Sequence, residues 1–476
     1  MRPKLIYTKN SAELKKLSIC YKLALSNLLD HNIIRVVRSK YNSSKLFTGV
    51  PSKIIRAGGD YQTPWTRDAA INTYNAANLL ASNESLNTLW SVISKCKNKL
   101  VIQQDNQWWD QVIWIEAIWE HYLVTGNYDI LQSAYKIATQ TIKIRRRHNF
   151  NPNYGLFGGP AFFADGISGY PPPIGDIGTG SSFVLDHSDT KNILVLSTNC
   201  IYVQALRTVA KMAKELKILN GIADIYIAEA DRLVRSINKH LWNYKKSSYY
   251  YFIDPKTQIK YDYQESIGLG YAILNKCIPS DKIQSVLNSA HREPKGMSCV
   301  YPHFTTFSDK CPGRHNNMVW PVVAGVWTHA LAVSGRTERM RVEIIDQCEL
   351  ALSKNSFYEI YNAKTGAVDG GWQIGKKWKS CKNQTWSATA FIRSIHYGLF
   401  GFKFTQNGLL FKPNLPLGWS TIKICKLPYR NYILDITLLG SGNKVKSFKI
   451  NGQIYDKALF PINFIKLKHK IEIIMK

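Results

Sequence analysis

The feature that most constrains this chain is a train of helical segments that fills its first 400 or so residues and then stops. Apolar residues recur at intervals of three and four in 11–28, 66–80, 86–96, 107–125, 128–146, 196–215, 220–242, 265–276, 282–290, 318–335, 338–353 and 384–399. The spacing predicts about twelve helices and almost no strand of any length among them. Helices in that number, joined in sequence, fold back as six hairpins closed into an (α/α)6 toroid, a mainly α fold. An inner ring is buried on all sides, and segments such as DQVIWIEAIW and MVWPVVAGVWTHALAV are apolar enough to form it. After residue 402 the period drops to two, in STIKICKLPY, NYILDITLLGSG and FIKLKHKIEIIMK, and Asn451-Gly452 is a hairpin signal. The expected organisation is a barrel over 1–402 and a small antiparallel, sandwich-like β-domain over 403–476.

Composition narrows the function. With 45% hydrophobic and 20% charged residues the chain builds a large core. The net charge of +29 invites a nucleic-acid reading, but the basic residues are scattered along the whole chain. They accompany abundant Asn, Ile and Tyr, as AT-rich codons would give, and no nucleic-acid-binding motif is present. No apolar run is long enough to span a bilayer, and the first twenty residues hold no signal-peptide core, so the expected location is cytoplasmic. Nine cysteines stand singly, without a CxxC pair or zinc-ligand spacing, and read as reduced packing residues. Neither a metal nor a cofactor is expected.

The long loops carry the chemistry. GGDYQTPW, NYGLFGGPAFFADGISGYPPPIGDIGTGSS and IYNAKTGAVDGGWQIGKKW concentrate Gly, Pro and Trp on a helical scaffold. Trp65-Thr66-Arg67-Asp68 opens a helix, and Gln107-Trp108-Trp109-Asp110 repeats the theme. Indole faces stack on the C–H faces of sugars, and carboxylates, guanidinium groups and amides bond to their hydroxyls. A carbohydrate pocket is therefore expected from Trp65, Trp108, Trp109, Trp320, Trp372 and Trp386, with Arg67, Asp68, Asp110, His315 and Gln373. The plainer reading makes the Asp residues helix caps and the Trp residues core. Glycoside cleavage needs two carboxyl groups. Asp165, among Phe, Gly and Pro, is expected in an apolar setting that raises its pKa and suits it to acid work. Glu359, between Tyr358 and Tyr361, is expected to be the more hydrated partner, bonded to Gln373 or Tyr361. The loops 58–68, 104–110, 155–176, 314–320 and 359–373 should then meet at one mouth of the barrel. No GxSxG elbow and no phosphate-cradling GxxxxGK loop competes with this reading.

These residues resemble the six-hairpin glycosidases, the group that includes trehalase, glucosidase I and the mannosylglycerate hydrolases. WTRDAAINTYNA at 65–76 is similar to the Trp-x-Arg-Asp helix start of that architecture. FYEIYNAKTG followed by QTWSATAFIR at 384–393 resembles the family's Glu-x-Tyr-x-x-x-Thr-Gly and Trp-Ser-Ala motifs, which implies that Glu359 is the catalytic base. HNNMVWPVVAGVW at 315–327 matches the family's preceding helix start only in part, since its Arg-Gly is missing. Where the family has Glu-Ser-Gly-Trp-Asp, this chain has Gly-Pro-Ala-Phe-Phe-Ala-Asp, which places the acid on Asp165 by position. The resemblance implies an inverting, exo-acting hydrolase of an α-linked glucoside or related oligosaccharide. A phosphorylase on the same scaffold, or a non-catalytic sugar-binding protein, stays open, as does the oligomeric state.

Overall fold

The computed structural model describes residues 2–8, 11–49, 51–175, 180–219 and 221–476. The ends of two expected segments, at 176 and 220, lie outside the described residues. Among the described residues twelve helices alternate between an outer and an inner ring. The outer ring comprises α1 (Ala12–Ser26), α3 (Ser82–Ser91), α5 (Ile130–Asn149), α7 (Ile222–His240), α9 (Ile283–Ser289) and α11 (Thr337–Ser353). The inner ring comprises α2 (Thr66–Asn72), α4 (Ile113–Thr125), α6 (Leu196–Glu215), α8 (Ser266–Leu274), α10 (Pro321–Val333) and α12 (Thr385–Arg393). Each inner helix packs on the next, and α12 returns to α2, so the ring is closed.

Residue pattern sorts the two rings. All of α4 is buried except Glu116 and Thr125, as an inner helix requires. In α7 only Ala230, Leu233 and Ile237 are buried, a single narrow stripe on an outer helix. Local signals set several starts. The Ser11 hydroxyl accepts from the Leu14 amide ahead of α1, and Pro321 occupies the first turn of α10. The helix expected over 86–96 stops at Ser91, and Ile93–Cys96 pairs with Lys99–Ile102 in a hairpin. Its turn, Lys97-Asn98, has positive φ at both positions, which hairpin geometry demands and apolar periodicity does not register. The helix expected from 107 begins at Ile113, because 107–110 is the loop of a site described below.

The C-terminal strands depart from the expected all-antiparallel arrangement. They are β2 (Phe402–Thr405), β3 (Gly408–Phe411), β4 (Thr421–Tyr429), β5 (Tyr432–Leu439), β6 (Val445–Ile450), β7 (Gln453–Ile454), β8 (Leu459–Pro461) and β9 (Lys468–Met475), and β1 is Lys4–Tyr7 at the other end of the chain. One sheet has the order β1-β4-β5-β9-β6-β7 and the other β2-β3-β8. β5 and β9 are parallel, with Ile433 opposite Lys468 and Leu439 opposite Ile474, so the larger sheet is mixed. The strand β1 pairs antiparallel with β4, Leu5 opposite Ile424, and thus the N-terminus is stitched into the C-terminal module. Among the described residues no helix is long and apolar enough to cross a membrane. All nine cysteines are unpaired, and most are buried.

Candidate active site

Every inner helix begins at the same mouth of the barrel, because each outer helix carries the chain back. The loops that precede α2, α4, α6, α8, α10 and α12 are therefore brought together, and their N-terminal amides give the mouth a positive partial charge. Carboxyl groups gather there, among them Asp68, Asp105, Asp110, Asp165, Glu265 and Glu359.

Asp165 and Glu359 are each held by a guanidinium group. Asp165 Oδ2 accepts from Gln107 Nε2 at 2.9 Å and Arg67 Nη2 at 3.4 Å, and His315 Nε2 lies 3.3 Å from Oδ1. Arg67 is aimed by a second set of contacts, since its Nη1 donates to Gln107 Oε1 at 2.6 Å and to Asp110 Oδ2 at 3.3 Å. Its guanidinium lies 5.4 Å from the centre of the Trp386 ring. Glu359 Oε2 accepts from Arg314 Nη2 at 2.7 Å, and Oε1 accepts from the Tyr61 hydroxyl at 3.4 Å. Arg314 is fixed in turn by the carbonyls of Gly370 and Lys379, each 3.1 Å from Nη1. Successive residues of one loop, Arg314 and His315, thus reach the two carboxyl groups. Both pack on Trp320, His315 stacked at 4.7 Å and Arg314 at 5.2 Å.

The charge state of Asp165 reverses the expectation from its apolar neighbours in sequence. Burial pushes its pKa up, but Arg67, His315 and Gln107 outweigh that and hold it well below the usual carboxylate range. The flanking Phe162 and Phe163 are buried in the core. The carboxylate itself turns to the polar side and its side chain remains 32% exposed. Asp68 takes the opposite course. It is 2% exposed, and burial pushes it up to about 7 against the pull of Arg67. Burial also raises Asp110 well above its ordinary value and lowers His315, so the imidazole is neutral at neutral pH.

The structure brings the remaining expected residues to the same place but changes several roles. Trp65 is exposed, and Trp108 and Trp372 are partly exposed, as sugar platforms must be. Trp109, Trp320 and Trp386 are 1–2% exposed, so these three of the six expected platforms are buried in the wall of the site. Two of the buried indoles are pillars: Trp109 Nε1 donates to the Ala161 carbonyl and Trp320 Nε1 to that of Arg314. Asp110 has no exposed surface and acts through Arg67. Glu359 is 4% exposed rather than hydrated, and its partners are Arg314 and Tyr61. The Tyr361 hydroxyl instead bonds to the backbone at Ser356 and Tyr358, and Gln373 Oε1 accepts from the Ser168 hydroxyl.

Arg314, Tyr61 and Ser168 also meet the expected residues, and no sequence motif points to them; Gln107 joins them from the QWWD motif. Gln107 stands inside the QWWD motif and Arg314 directly before His315, so both were within reach of the loop argument. Several buried polar atoms of these loops have no hydrogen-bond partner within the protein, among them Asp68 Oδ2, His315 Nδ1, Gln384 Oε1 and Trp386 Nε1. Such atoms are costly unless something polar meets them, and a ring of sugar hydroxyls supplies donors and acceptors together. Among the described residues no group of three or more His, Cys, Asp or Glu is arranged to hold a metal ion.

Comparisons with known proteins bear on the fold and on part of the chain. Residues 181–387 match the family of the mannosylglycerate hydrolase MGH1-like glycoside hydrolase domain, a segment that contains Arg314, His315 and Glu359 and leaves Arg67, Asp68 and Asp165 outside it. A sialidase shares the fold with a TM-score of 0.69 at 15% identity, over 96% of this chain and 41% of that one. The family GH78 rhamnosidase of Bacillus sp. GL1 does so with a TM-score of 0.54 at 15% identity, over 92% and 41%. This chain therefore spans about two-fifths of the length of those two proteins. The GH63 mannosylglycerate hydrolase of Thermus thermophilus, solved with Tris and D-glycerate, gives a TM-score of 0.55 at 13% identity, over 79% and 99%. No curated protein sequence matches the chain. The chain has the six-hairpin glycosidase fold, and its residues 181–387 are similar to a glycoside hydrolase domain.

Proposed function

We propose that this glycosidase is an inverting, exo-acting enzyme on an α-linked glucoside or related oligosaccharide, with Asp165 as proton donor and Glu359 as base. The observation that carries the reading is the Arg314-His315 pair. Side chains of adjacent residues reach two carboxyl groups, which supports a site about one sugar ring across with one carboxyl on each flank. Depth supports the division of labour. Asp68, buried and half protonated near pH 7, suits the hydroxyls of the sugar at the bottom of the site. Asp165, at the more open edge, suits the glycosidic oxygen of the bond to be broken.

Asp165 must hold a proton to act as acid, and its resting partners oppose that. The reading therefore couples protonation to binding. When substrate hydroxyls engage Arg67 and Gln107, Asp165 loses two of its donors, and exclusion of water then favours its neutral form. It gives that proton to the leaving oxygen as the bond to the anomeric carbon breaks. Glu359, oriented by its bond from Arg314, takes a proton from the water that attacks from the other face. Trp65, Trp108 and Trp372 supply apolar faces for the sugar units.

The test is a release assay on a panel of α-linked disaccharides, with and without phosphate, with the anomer of the first product read by NMR. Carboxylated glycosides belong in the panel, because a sialidase and a mannosylglycerate hydrolase share the fold. Inversion is expected, with a loss of turnover of at least ~100-fold in both Asp165→Asn and Glu359→Gln. Retention, or phosphate dependence, would overturn the inverting hydrolase. Full activity in Asp165→Asn with a dead Asp68→Asn would move the acid to Asp68.

A further inference from the structure

The opposite end of the barrel holds a cavity of about 980 Å³, lined mainly by the C-terminal parts of the inner helices. It opens at their C-terminal ends, where the β-module closes over the barrel through Phe402, Lys403 and Lys412. That volume lies within the range of small-molecule sites. Its floor is built from inner-ring side chains. Arg393 is 4% exposed, donates to Asn75 Oδ1 at 3.1 Å and lies 3.1 Å from His329 Nδ1. Glu116 and Glu120 line the same cavity and feel the charge of Arg393, without an ion pair to it among the described residues. The Tyr397 hydroxyl donates to Glu120 Oε1 at 3.0 Å, and Tyr74 stacks on Tyr397 at 5.3 Å. Burial and the nearby Glu116 push Glu120 up to about 8, so it can both donate and accept at neutral pH.

The rim is cationic. Partial burial and the charges of Lys412, Lys276 and Lys211 together lower Lys403, so four ammonium groups crowd one opening. Helix C-termini attract cations, which accounts for Lys211 near the end of α6 and Lys276 just after α8. It does not account for Lys403 and Lys412, which come from the β-module and face the same opening. A buried guanidinium beneath a ring of lysines, over a floor of hydroxyl and carboxyl groups, has the donor set for an anion joined to a polyol.

We infer that this cavity is a second ligand site, distinct from the catalytic one, that takes a phosphorylated sugar with its phosphate at the lysine rim and its hydroxyls on the Glu120–Tyr397–Arg393 floor. The inference does not depend on the catalytic assignments. It is tested by calorimetric titration of the full chain at low salt with glucose 6-phosphate, glucose and inorganic phosphate. Glucose 6-phosphate should bind at least about tenfold more tightly than either fragment, and the binding should weaken as salt is raised. The exposed pair Lys403→Glu and Lys412→Glu should weaken it by at least about tenfold with no change in glycoside turnover or melting temperature. In Asp165→Asn the affinity should be unchanged, which separates this site from the catalytic mouth. No binding up to about 10 mM, phosphate binding as tightly as glucose 6-phosphate, or full affinity in the lysine variant would each overturn the inference.

Discussion

Replacing Gly166 with alanine should silence the enzyme while leaving it folded. The residue has φ −100 and ψ 140, a conformation that alanine adopts freely, so the backbone gives no reason for glycine. The reason is contact. A methyl group built there lies 2.2 Å from Gln373 Oε1 and 2.5 Å from His315 Nδ1. Ordinary van der Waals separation requires each to retreat by about 1 Å. Gln373 would leave the Ser168 hydroxyl and amide, at 2.9 and 3.4 Å, and His315 is backed by the stacked Trp320 ring. Overpacking and the lost hydrogen bonds together cost about 2–4 kcal/mol, which a domain with this much core survives. The imidazole that moves is the one 3.3 Å from Asp165, and a misplacement of about 1 Å at a catalytic group costs about 100-fold in rate. The assay is kcat on the best glycoside of the panel, with thermal unfolding measured alongside. Gly398→Ala is the control, since its methyl would meet nothing nearer than 3.6 Å. Turnover within about threefold of wild type in a folded Gly166→Ala protein would refute the role given to His315 and Gln373.

Other outcomes follow from the same geometry. Glu265, 3% exposed at the start of α8 and bonded to the Ser197 amide, is pushed by burial up to about 8. Its folded value exceeds its unfolded one, so its stabilising contribution is complete below about pH 4.3 and is lost as pH rises through 8, at up to about 1.4 kcal/mol per unit. Glu265→Gln should remove that slope in denaturant titrations between pH 5 and 8, and an unchanged slope would show that the group is not buried as a neutral acid. Leu5→Ala, at a site 5% exposed on β1, should cost about 2–4 kcal/mol and loosen the edge of the mixed sheet, seen as earlier hydrogen exchange at Ile422 and Ile424. Wild-type exchange there would mean that β1 contributes little. Binding of a slowly turned-over substrate should take up a proton near pH 7, measured by calorimetry in buffers of different ionisation enthalpy. No uptake would argue that Asp165 is not the group protonated on binding.

The sequence by itself determined the helices, their number and their division into inner and outer rings, because each rests on a local pattern. Apolar spacing of three to four, the dense apolar run in VIWIEAIW and the cap at Ser11 act within a few residues of chain. It also placed the aromatic and acidic loops, since clustered Gly and Pro interrupt the helical periodicity there. Tertiary structure decided what those loops do. The carboxyl of Asp165 takes its charge state from Arg67, His315 and Gln107, which are 98, 150 and 58 residues away along the chain and meet it only when the toroid closes. Phe162 and Phe163, its neighbours in sequence, are buried, and Phe163 packs against His315 and Trp320 without setting that charge. The pairing of β1 with β4 and the parallel run of β5 with β9 were equally hidden, because strand alternation fixes which face is buried and says nothing about which strand lies alongside. Through-space electrostatics and strand partnership depend on distances between remote segments, and a linear sequence records those distances only after the chain has closed on itself.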